Sequence, residues 1–119
     1  MSDPATMRRM TEELAETMKE ISLSTQGKTL SAWRRFTAAA HADGTVSRKH
    51  KELIAIAISL VKGCERCISY HVRSAIAAGA VEDEILEAAF VAVIMDGGPA
   101  LAHLGVLRAA IAAHREETP

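Results

Sequence analysis

Apolar residues recur every three or four positions along most of this chain, which is the spacing of one face of an α-helix. The first such segment runs from Thr6 to about Ser22, and acidic residues occupy its opposite side. Its apolar face consists of Met7, Met10, Leu14, Met18 and Ile21. The pattern predicts an amphipathic helix that docks on the rest of the protein.

Two further helices are predicted before the middle of the chain. One runs from about Leu30 to Ala42 and ends at Asp43-Gly44. Ser47 is then a suitable N-cap for a third helix from Arg48 to Lys62. The apolar run Leu53 to Ile58 contains β-branched residues that would also suit a strand, but the cap and the overall length favour a buried helix.

The second half of the chain continues the helical pattern. Gly63 ends the third helix, and a fourth is expected to run to Ala78 with Gly79 as its C-cap. A fifth helix opens at the acidic residues 82–84, which suit a helix start, and ends at a break over 96–99. A last helix is expected from about Ala100 to Ala113. The sequence thus predicts an all-α bundle of about five or six helices.

Size and composition indicate a single domain that associates with copies of itself. The chain has 119 residues, of which 49% are hydrophobic and only 3% aromatic. We expect one domain over 1–119, with N-terminal helices in 1–45 and a core in 47–113. Helices that are apolar on most sides, in a chain this small, predict a homo-oligomer.

The charge and hydropathy of the chain limit the partners that we expect it to have. The formal net charge is −1, and the basic cluster 48–51 lacks interleaved aromatic residues, so no nucleic acid partner is expected. The longest apolar runs, Leu53 to Val61 and Ala88 to Met95, fall short of the roughly 18 residues of a membrane span. The first four residues lack the basic and apolar regions of a signal peptide. We therefore expect a cytoplasmic protein that does not enter a membrane.

Cys64, Cys67 and His71 are the residues that indicate chemistry. At spacings of three and four they stack on one face of a helix, where the thiols can pair and the imidazole can move their protons. A helix that begins near Gly63 would favour a thiolate through its unpaired N–H groups and its dipole. In a reducing cytosol a permanent structural bridge is not expected, so the spacing favours redox chemistry.

Two other interpretations of the cysteines stay open. The thiols could pack as small apolar groups, or they could bind zinc with His71 and with Glu52 as a fourth ligand. The chain contains no second CxxC or HxxxH pair to complete a tetrahedral site, so no metal or other cofactor is expected. Glu52 can approach His71 only if the chain reverses at Gly63, and position alone would leave it as a solvated carboxylate.

The other four histidines show no partner pattern. We expect His41, His50, His103 and His114 to be surface or packing residues. His103 stands out among them because it follows the break over 97–99 within an apolar helix.

In combination these residues resemble the alkylhydroperoxidase AhpD-like and carboxymuconolactone decarboxylase family. The resemblance rests on Glu52, the motif Cys64-Glu65-Arg66-Cys67, His71, Gly79 and the segment 84–89. It covers about Ser47 to Ala110, while the N-terminal helices match only in character. It implies an all-helical fold assembled as a trimer or hexamer.

The resemblance also implies roles for the four site residues. Cys67 resembles the peroxidatic cysteine that becomes a sulfenic acid, and Cys64 the partner that resolves it to a disulfide. Glu52 and His71 resemble the proton relay. The helix dipole taken alone instead favours Cys64 as the more acidic thiol. The implied substrate is a hydroperoxide or a disulfide, and the implied electron source is a dithiol reductant or a lipoyl-type adaptor.

Arg66 departs from the family pattern, since the best-known peroxidase members carry a histidine at this position. A guanidinium can stabilise a thiolate but cannot shuttle protons at neutral pH. The departure favours thiol–disulfide exchange over fast peroxide reduction. The alternatives are a decarboxylase-like enzyme that does not depend on redox thiols and a non-enzymatic, redox-sensing oligomer. Retention of both cysteines and His71 argues against the decarboxylase.

Overall fold

The structure, a computed structural model, describes residues 2–117 and is helical throughout. Its elements are α1 (Pro4–Ser22), α2 (Gly27–His41), α3 (Arg48–Lys62), α4 (Glu65–Ala77), α5 (Glu82–Asp96), α6 (Gly98–Ala102) and α7 (Leu104–Arg115). No strand occurs in the described part of the chain. Six longer helices and the five-residue α6 confirm the predicted all-α fold.

Side-chain caps fix where the first and third helices begin. The carboxylate of Asp3 accepts a hydrogen bond from the Thr6 N–H at 2.7 Å, and this bond lowers the pKa of Asp3. Ser47 Oγ accepts from the His50 N–H at 3.1 Å, so α3 has the predicted cap and the predicted bounds. Helices α1 and α2 begin a few residues earlier than expected, at Pro4 and Gly27.

The prediction of a single last helix from Ala100 to Ala113 is wrong. Pro99 stands at the start of the short α6, and the N–H of His103 bonds back to the carbonyls of Pro99 and Ala100, which closes that turn before α7 begins. Gly97, with φ +71°, redirects the chain between α5 and α6. The apolar pattern runs through this interruption without a break, which is why periodicity did not reveal it.

Helix α4 lies at the centre of the bundle, because it packs against α3, α7 and α1. The largest buried side chains come from all of these elements, and include Met7, Ile56, Leu60, Ile68 and Leu107. Met7 is the residue through which α1 enters the core, in keeping with its predicted docking role. The core therefore holds α3 and α4 rigidly side by side.

Other apolar faces are uncovered in the single chain. Helix α3 buries Leu53 and Ile56 but exposes Ile54 and Ile58, so the expectation of a buried helix holds for one face only. Helix α5 exposes 78% of Ile94, and α2 has no buried residue at all. Among the described residues no helix is both long enough and apolar enough to cross a membrane.

Candidate active site

A tight reversal at Gly63 turns α3 into α4. Gly63 adopts a left-handed conformation with φ +66°, and its N–H bonds to the carbonyls of Leu60 and Ser59. The N–H of Cys64 also bonds to the Ser59 carbonyl, at 3.2 Å. These bonds end α3, and the chain then returns along it as α4. The reversal is the condition under which Glu52 and His71 were expected to meet.

The two cysteines form a disulfide at the start of α4. Cys64 is the N-cap residue, and its sulfur accepts a hydrogen bond from the Cys67 N–H at 3.2 Å. Their Cα atoms lie 5.2 Å apart, within the range that a disulfide spans. Both residues are half-buried, so the bond lies close to solvent at the positive end of a helix.

Glu52 is almost completely buried, at 1% exposure, and lies between two histidines. Its Oε2 is 3.1 Å from His71 Nδ1, and its Oε1 is 2.9 Å from His41 Nε2. The solvated position that sequence alone would give Glu52 is therefore wrong, and the proximity to His71 expected from a chain reversal is observed. A buried carboxylate needs such partners because desolvation of an unpaired charge is costly.

His41 is the site residue that the sequence analysis missed, since it was assigned to the surface or to packing. It occupies the last turn of α2, and the short segment 42–47 brings that turn beside the first turn of α3. Lys51 Nζ donates to the carbonyls of Ala40 and Ala42 at 2.9 and 2.6 Å, which fastens the end of α2 to α3. A histidine at the end of one helix and a glutamate at the start of the next would have been the signal to follow.

His71 has one ring nitrogen committed and one available. Nδ1 faces Glu52, and the ring makes an edge contact with Tyr70 at a centroid distance of 5.1 Å. His71 follows Cys67 by one helical turn, and its side chain is 21% exposed. Nε2 has no hydrogen-bond partner in the described part of the chain.

This chain is similar to known proteins in both sequence and fold. The model of the carboxymuconolactone decarboxylase family matches residues 27–114, which is most of the chain. This protein belongs to the carboxymuconolactone decarboxylase family. A family member from Legionella pneumophila, solved in the apo state, superposes with a TM-score of 0.83 at 27% identity, covering 96% of this chain and 98% of that one. A Thermotoga maritima member gives 0.77 at 27% identity over 91% of both chains.

Two sequence relatives are uncharacterized proteins. Protein 4 in the cox locus of Paracoccus denitrificans is 44% identical over 62 residues, which cover 52% of this chain and 56% of that protein. A Cupriavidus necator protein is 34% identical over 74 residues, covering 62% of this chain and 66% of its own length. The match thus spans between about half and two thirds of these relatives.

The side chain of Arg66, which stands between the two cysteines, points to α1. Its guanidinium lies 3.1 Å from Glu13 Oε2 and donates to the Met10 carbonyl at 3.2 Å. These contacts tie α1 to the start of α4. In the disulfide state the arginine therefore serves helix docking.

The donors around Glu52 also form a possible metal-binding set. One ligand atom each from His41, Glu52 and His71 lie within 4.8 Å of one another. Two imidazoles and a carboxylate are suitable donors for zinc and other divalent ions. This set shares only Glu52 and His71 with the zinc set considered from sequence, because the disulfide removes both thiols as ligands.

The remaining histidines have structural contacts. The ring of His103 packs against the turn at Gly63, where an added Cβ would meet it at 3.3 Å. His50 Nδ1 shares a hydrogen bond with the Ser47 hydroxyl, at 2.7 Å. His114 is 1% exposed and bonds to Ser69 and Glu117, so it is a packing residue with polar partners.

Proposed function

We propose that this protein is a thiol-dependent oxidoreductase that reduces hydroperoxides or disulfides through Cys64 and Cys67. The observation that carries the proposal is the placement of a cysteine pair at the start of α4, one turn before a histidine held by a buried carboxylate. Family membership supports it, and so does the antioxidative response suggested in the name of the Thermotoga protein.

Peroxide reduction would proceed in three balanced steps. His71 Nε2 accepts the Cys67 proton, and the thiolate attacks the terminal peroxide oxygen. The O–O bond breaks, the alkoxide takes a proton and leaves as an alcohol, and Cys67 becomes a sulfenic acid. The Cys64 thiol then attacks the Cys67 sulfur, so that water leaves and the disulfide forms. A dithiol reductant or lipoyl-type adaptor returns two electrons and two protons.

A disulfide substrate would use the same groups without the sulfenic acid. The Cys67 thiolate attacks one sulfur, the other leaves as a thiolate that is protonated, and Cys64 displaces the first to close the intramolecular disulfide. Both leaving thiols take up the protons that Cys67 and Cys64 give up. Because a thiolate is a better leaving group than an alkoxide, this route depends less on a proton donor beside Cys67. Since Arg66 cannot supply that proton, we expect disulfides to be better substrates than peroxides.

Cysteine variants test this proposal. Cys67→Ser should abolish turnover and sulfenate trapping, whereas Cys64→Ser should form one trappable sulfenic acid at Cys67 because only its resolution is missing. Consumption of peroxide and of a small disulfide is measured with excess dithiol, and mass spectrometry locates the trapped adduct. A sulfenate on Cys64 in Cys67→Ser would show that the thiols act in the reverse order, as the helix dipole alone suggests.

The same assay separates the alternative functions. Formation of one disulfide per chain without turnover would indicate a redox sensor and overturn the enzymatic proposal. Activity that is indifferent to both cysteine substitutions would indicate a decarboxylase-like enzyme. The cysteine pair and the His71 contact with Glu52 favour a redox function over a decarboxylase.

We also propose that the protein works as a homo-oligomer of three or six subunits. Ile58 on α3 and Val91 and Met95 on α5 line an apolar groove of about 850 Å³, and Met95 is 79% exposed. Ile94, which precedes Met95 in the sequence, is 78% exposed. A patch of this kind is characteristic of an interface. Light scattering at micromolar concentration is the measurement, and a monodisperse monomer would contradict the proposal.

A matched pair of variants locates the interface. Ile94→Glu should dissociate the oligomer because it buries a charge between subunits. Leu23→Glu is the control, since Leu23 is 82% exposed in the connection between α1 and α2. Equal dissociation of both variants would place the interface elsewhere.

A further inference from the structure

We propose that a cleft between α1, α2 and α4 binds the non-reacting part of the substrate, and that this part is an anion with an apolar body, a carboxylate or a phosphate ester. This inference rests on the proposed thiol chemistry and adds a substrate class to it. The cleft has a volume of about 560 Å³, which is within the range of small-molecule sites. We call it the arginine cleft, because Arg34, Arg48 and Arg73 line it.

The arginine cleft is cationic in a protein whose formal net charge is −1. Three guanidinium groups line it, and among the described residues no aspartate or glutamate does. A cleft lined by one sign of charge concentrates ions of the opposite sign. A guanidinium also presents a planar pair of donors that matches a carboxylate or a phosphate. The lining therefore favours anionic ligands.

Two of the three arginines have side chains that can hold a ligand. The guanidinium groups of Arg34 and Arg48 make no hydrogen bond or ion pair with another described residue. Asp43 accepts a hydrogen bond from the backbone N–H of Arg48, at 2.7 Å, and not from its side chain. Arg73 differs, because its Nε lies 3.6 Å from Glu117 Oε2. We therefore assign the anionic group of the ligand to Arg34 and Arg48.

Other side chains that line the arginine cleft are apolar or aromatic. Leu14 and Met18 come from α1, and Trp33 comes from α2. Trp33 is 54% exposed, and α2 contributes no buried residue to the core. A ligand with an apolar body would cover these side chains and gain hydrophobic free energy. The lining thus fits an amphipathic anion better than a small inorganic one.

The arginine cleft borders the candidate active site. His41 lines the cleft and lies 2.9 Å from Glu52. Tyr70 also lines it, and the Tyr70 ring makes the edge contact with His71. Tyr70 follows Cys67 by three residues, which is less than one helical turn. Neither cysteine lines the cleft, so the cleft would hold the body of a substrate whose disulfide or peroxide extends to Cys67.

Fluorescence of Trp33 tests binding independently of activity, because Trp33 is the only tryptophan of the chain. The disulfide form is titrated with three ligands of equal chain length: hexanoate, hexyl phosphate and hexanol. At least one anion should give a saturable change, and hexanol should not. Comparison of the two anions tells whether the site prefers a carboxylate or a phosphate. Salt at about 0.5 M should weaken the binding, because it screens the arginines. Equal binding of hexanol, or no binding of either anion, would overturn the proposal.

Arginine variants test which groups hold the anion. Arg34→Gln and Arg48→Gln should each weaken anion binding about tenfold or more, the scale of a charge-assisted hydrogen bond. Arg35→Gln is the matched control, because it removes the same charge from the same helix. Arg35 does not line the cleft, and its Nη1 donates to the Ser31 hydroxyl at 2.9 Å. Equal weakening by Arg35→Gln would mean that overall charge attracts the anion, and it would overturn the site.

A charge series of small disulfides tests the consequence for the thiol reaction. Dithiodipropionate is anionic, hydroxyethyl disulfide is neutral and cystamine is cationic. Each kcat/KM is divided by the rate of the same disulfide with free dithiol, which removes differences in intrinsic reactivity. The ratio of anionic to neutral substrate should be about ten or more in the wild type. It should fall toward one in Arg34→Gln, and Arg35→Gln should keep the wild-type ratio.

Failure of this inference is distinguishable from failure of the proposed function. If neither disulfides nor peroxides are turned over, the proposed function fails, and the titration of Trp33 fluorescence still decides whether the cleft binds an anion. If the thiols turn over without a preference for the anionic disulfide, the assigned substrate class is wrong and the proposed function stands.

Discussion

Helix α4 contributes one residue to each of two clusters that contain a histidine and a carboxylate, and these clusters differ in what they can do. In one, His71 faces Glu52 at 3.1 Å, near the cysteine pair. In the other, Ser69 Oγ lies 2.9 Å from His114 Nε2, and His114 Nδ1 lies 2.9 Å from Glu117. The second has the hydroxyl, imidazole and carboxylate order of a hydrolytic triad.

The two clusters differ in their exposure to solvent and in whether the nucleophile can give its proton to the histidine. Ser69 is 0% exposed, and its hydroxyl donates to the Met7 carbonyl at 2.9 Å, so its proton is not available to the histidine. No substrate could reach it. His71 is 21% exposed and follows half-buried thiols by one turn. The comparison teaches that a triad-like geometry indicates catalysis only where a substrate can approach a nucleophile.

The largest expected effect is on thiol turnover, when either member of the proposed proton relay, Glu52 or His71, is replaced. Glu52→Gln and His71→Gln should each slow thiol turnover by about 10²-fold or more, the usual scale of general acid–base assistance. They should also raise the pH at which the thiolate forms, because the base that takes its proton is lost or misoriented. Alkylation rate of the reduced protein against pH, beside steady-state turnover, is the measurement.

Ser69→Ala is the control for the relay variants, since it disturbs the buried cluster on the same helix. Its turnover per folded molecule should equal that of the wild type. Loss of turnover in Ser69→Ala as large as that in His71→Gln would contradict the distinction between an active and a structural cluster.

The buried cluster should instead reveal itself in stability. Ser69 links α4 to Met7 and Thr11 on α1 and to His114 on α7, all at 2.9 Å. Ser69→Ala removes these three buried hydrogen bonds, which should lower the free energy of unfolding by about 1–3 kcal/mol. Urea denaturation measures this, with Ser31→Ala on the exposed α2 as the control. An unchanged midpoint for Ser69→Ala would show that the hydroxyl contributes nothing to the fold.

Whether a cluster residue could be predicted from the sequence depends on how far along the chain its partners lie. Cys64, Cys67 and His71 share one helix, so helical periodicity alone aligns them. Glu52 required one further assumption, a reversal at Gly63, and the left-handed glycine provides it. Helix α3 was predicted with its true bounds because Ser47 and Gly63 carry recognisable caps at both ends.

His41 and His114 could not be assigned in this way, because their partners lie on other helices. The contact between His41 and Glu52 depends on how the end of α2 is fastened by Lys51. His114 meets Ser69 across a separation of 45 residues, when α7 packs on α4. Pairing of this kind is decided by tertiary packing, and the spacing of residues along the sequence does not encode it.

A partly exposed carboxylate gives the smallest expected effect. Glu84 at the start of α5 lies 2.8 Å from Lys49 Nζ and accepts from the Val81 N–H at 3.0 Å. The hydrogen bond from Lys49, followed by that from Val81, lowers the pKa of Glu84 below its ordinary value of 4.5. The ionised form is therefore favoured by the fold, and its contribution is fully present above that ordinary value.

Glu84→Gln should lower the melting temperature slightly at neutral pH, and the difference from the wild type should disappear as the pH falls through the lowered pKa of the folded state. This sign follows because the wild type then loses the same charge that the variant lacks. Thermal unfolding at about pH 7 and about pH 3 measures it. Glu87→Gln, in the same helix, is the control, since Glu87 is exposed and makes no ion pair with another described residue. The difference in melting temperature between the wild type and Glu84→Gln could instead stay the same at both pH values. That result would mean that the shape of the side chain, and not its charge, supports the start of α5.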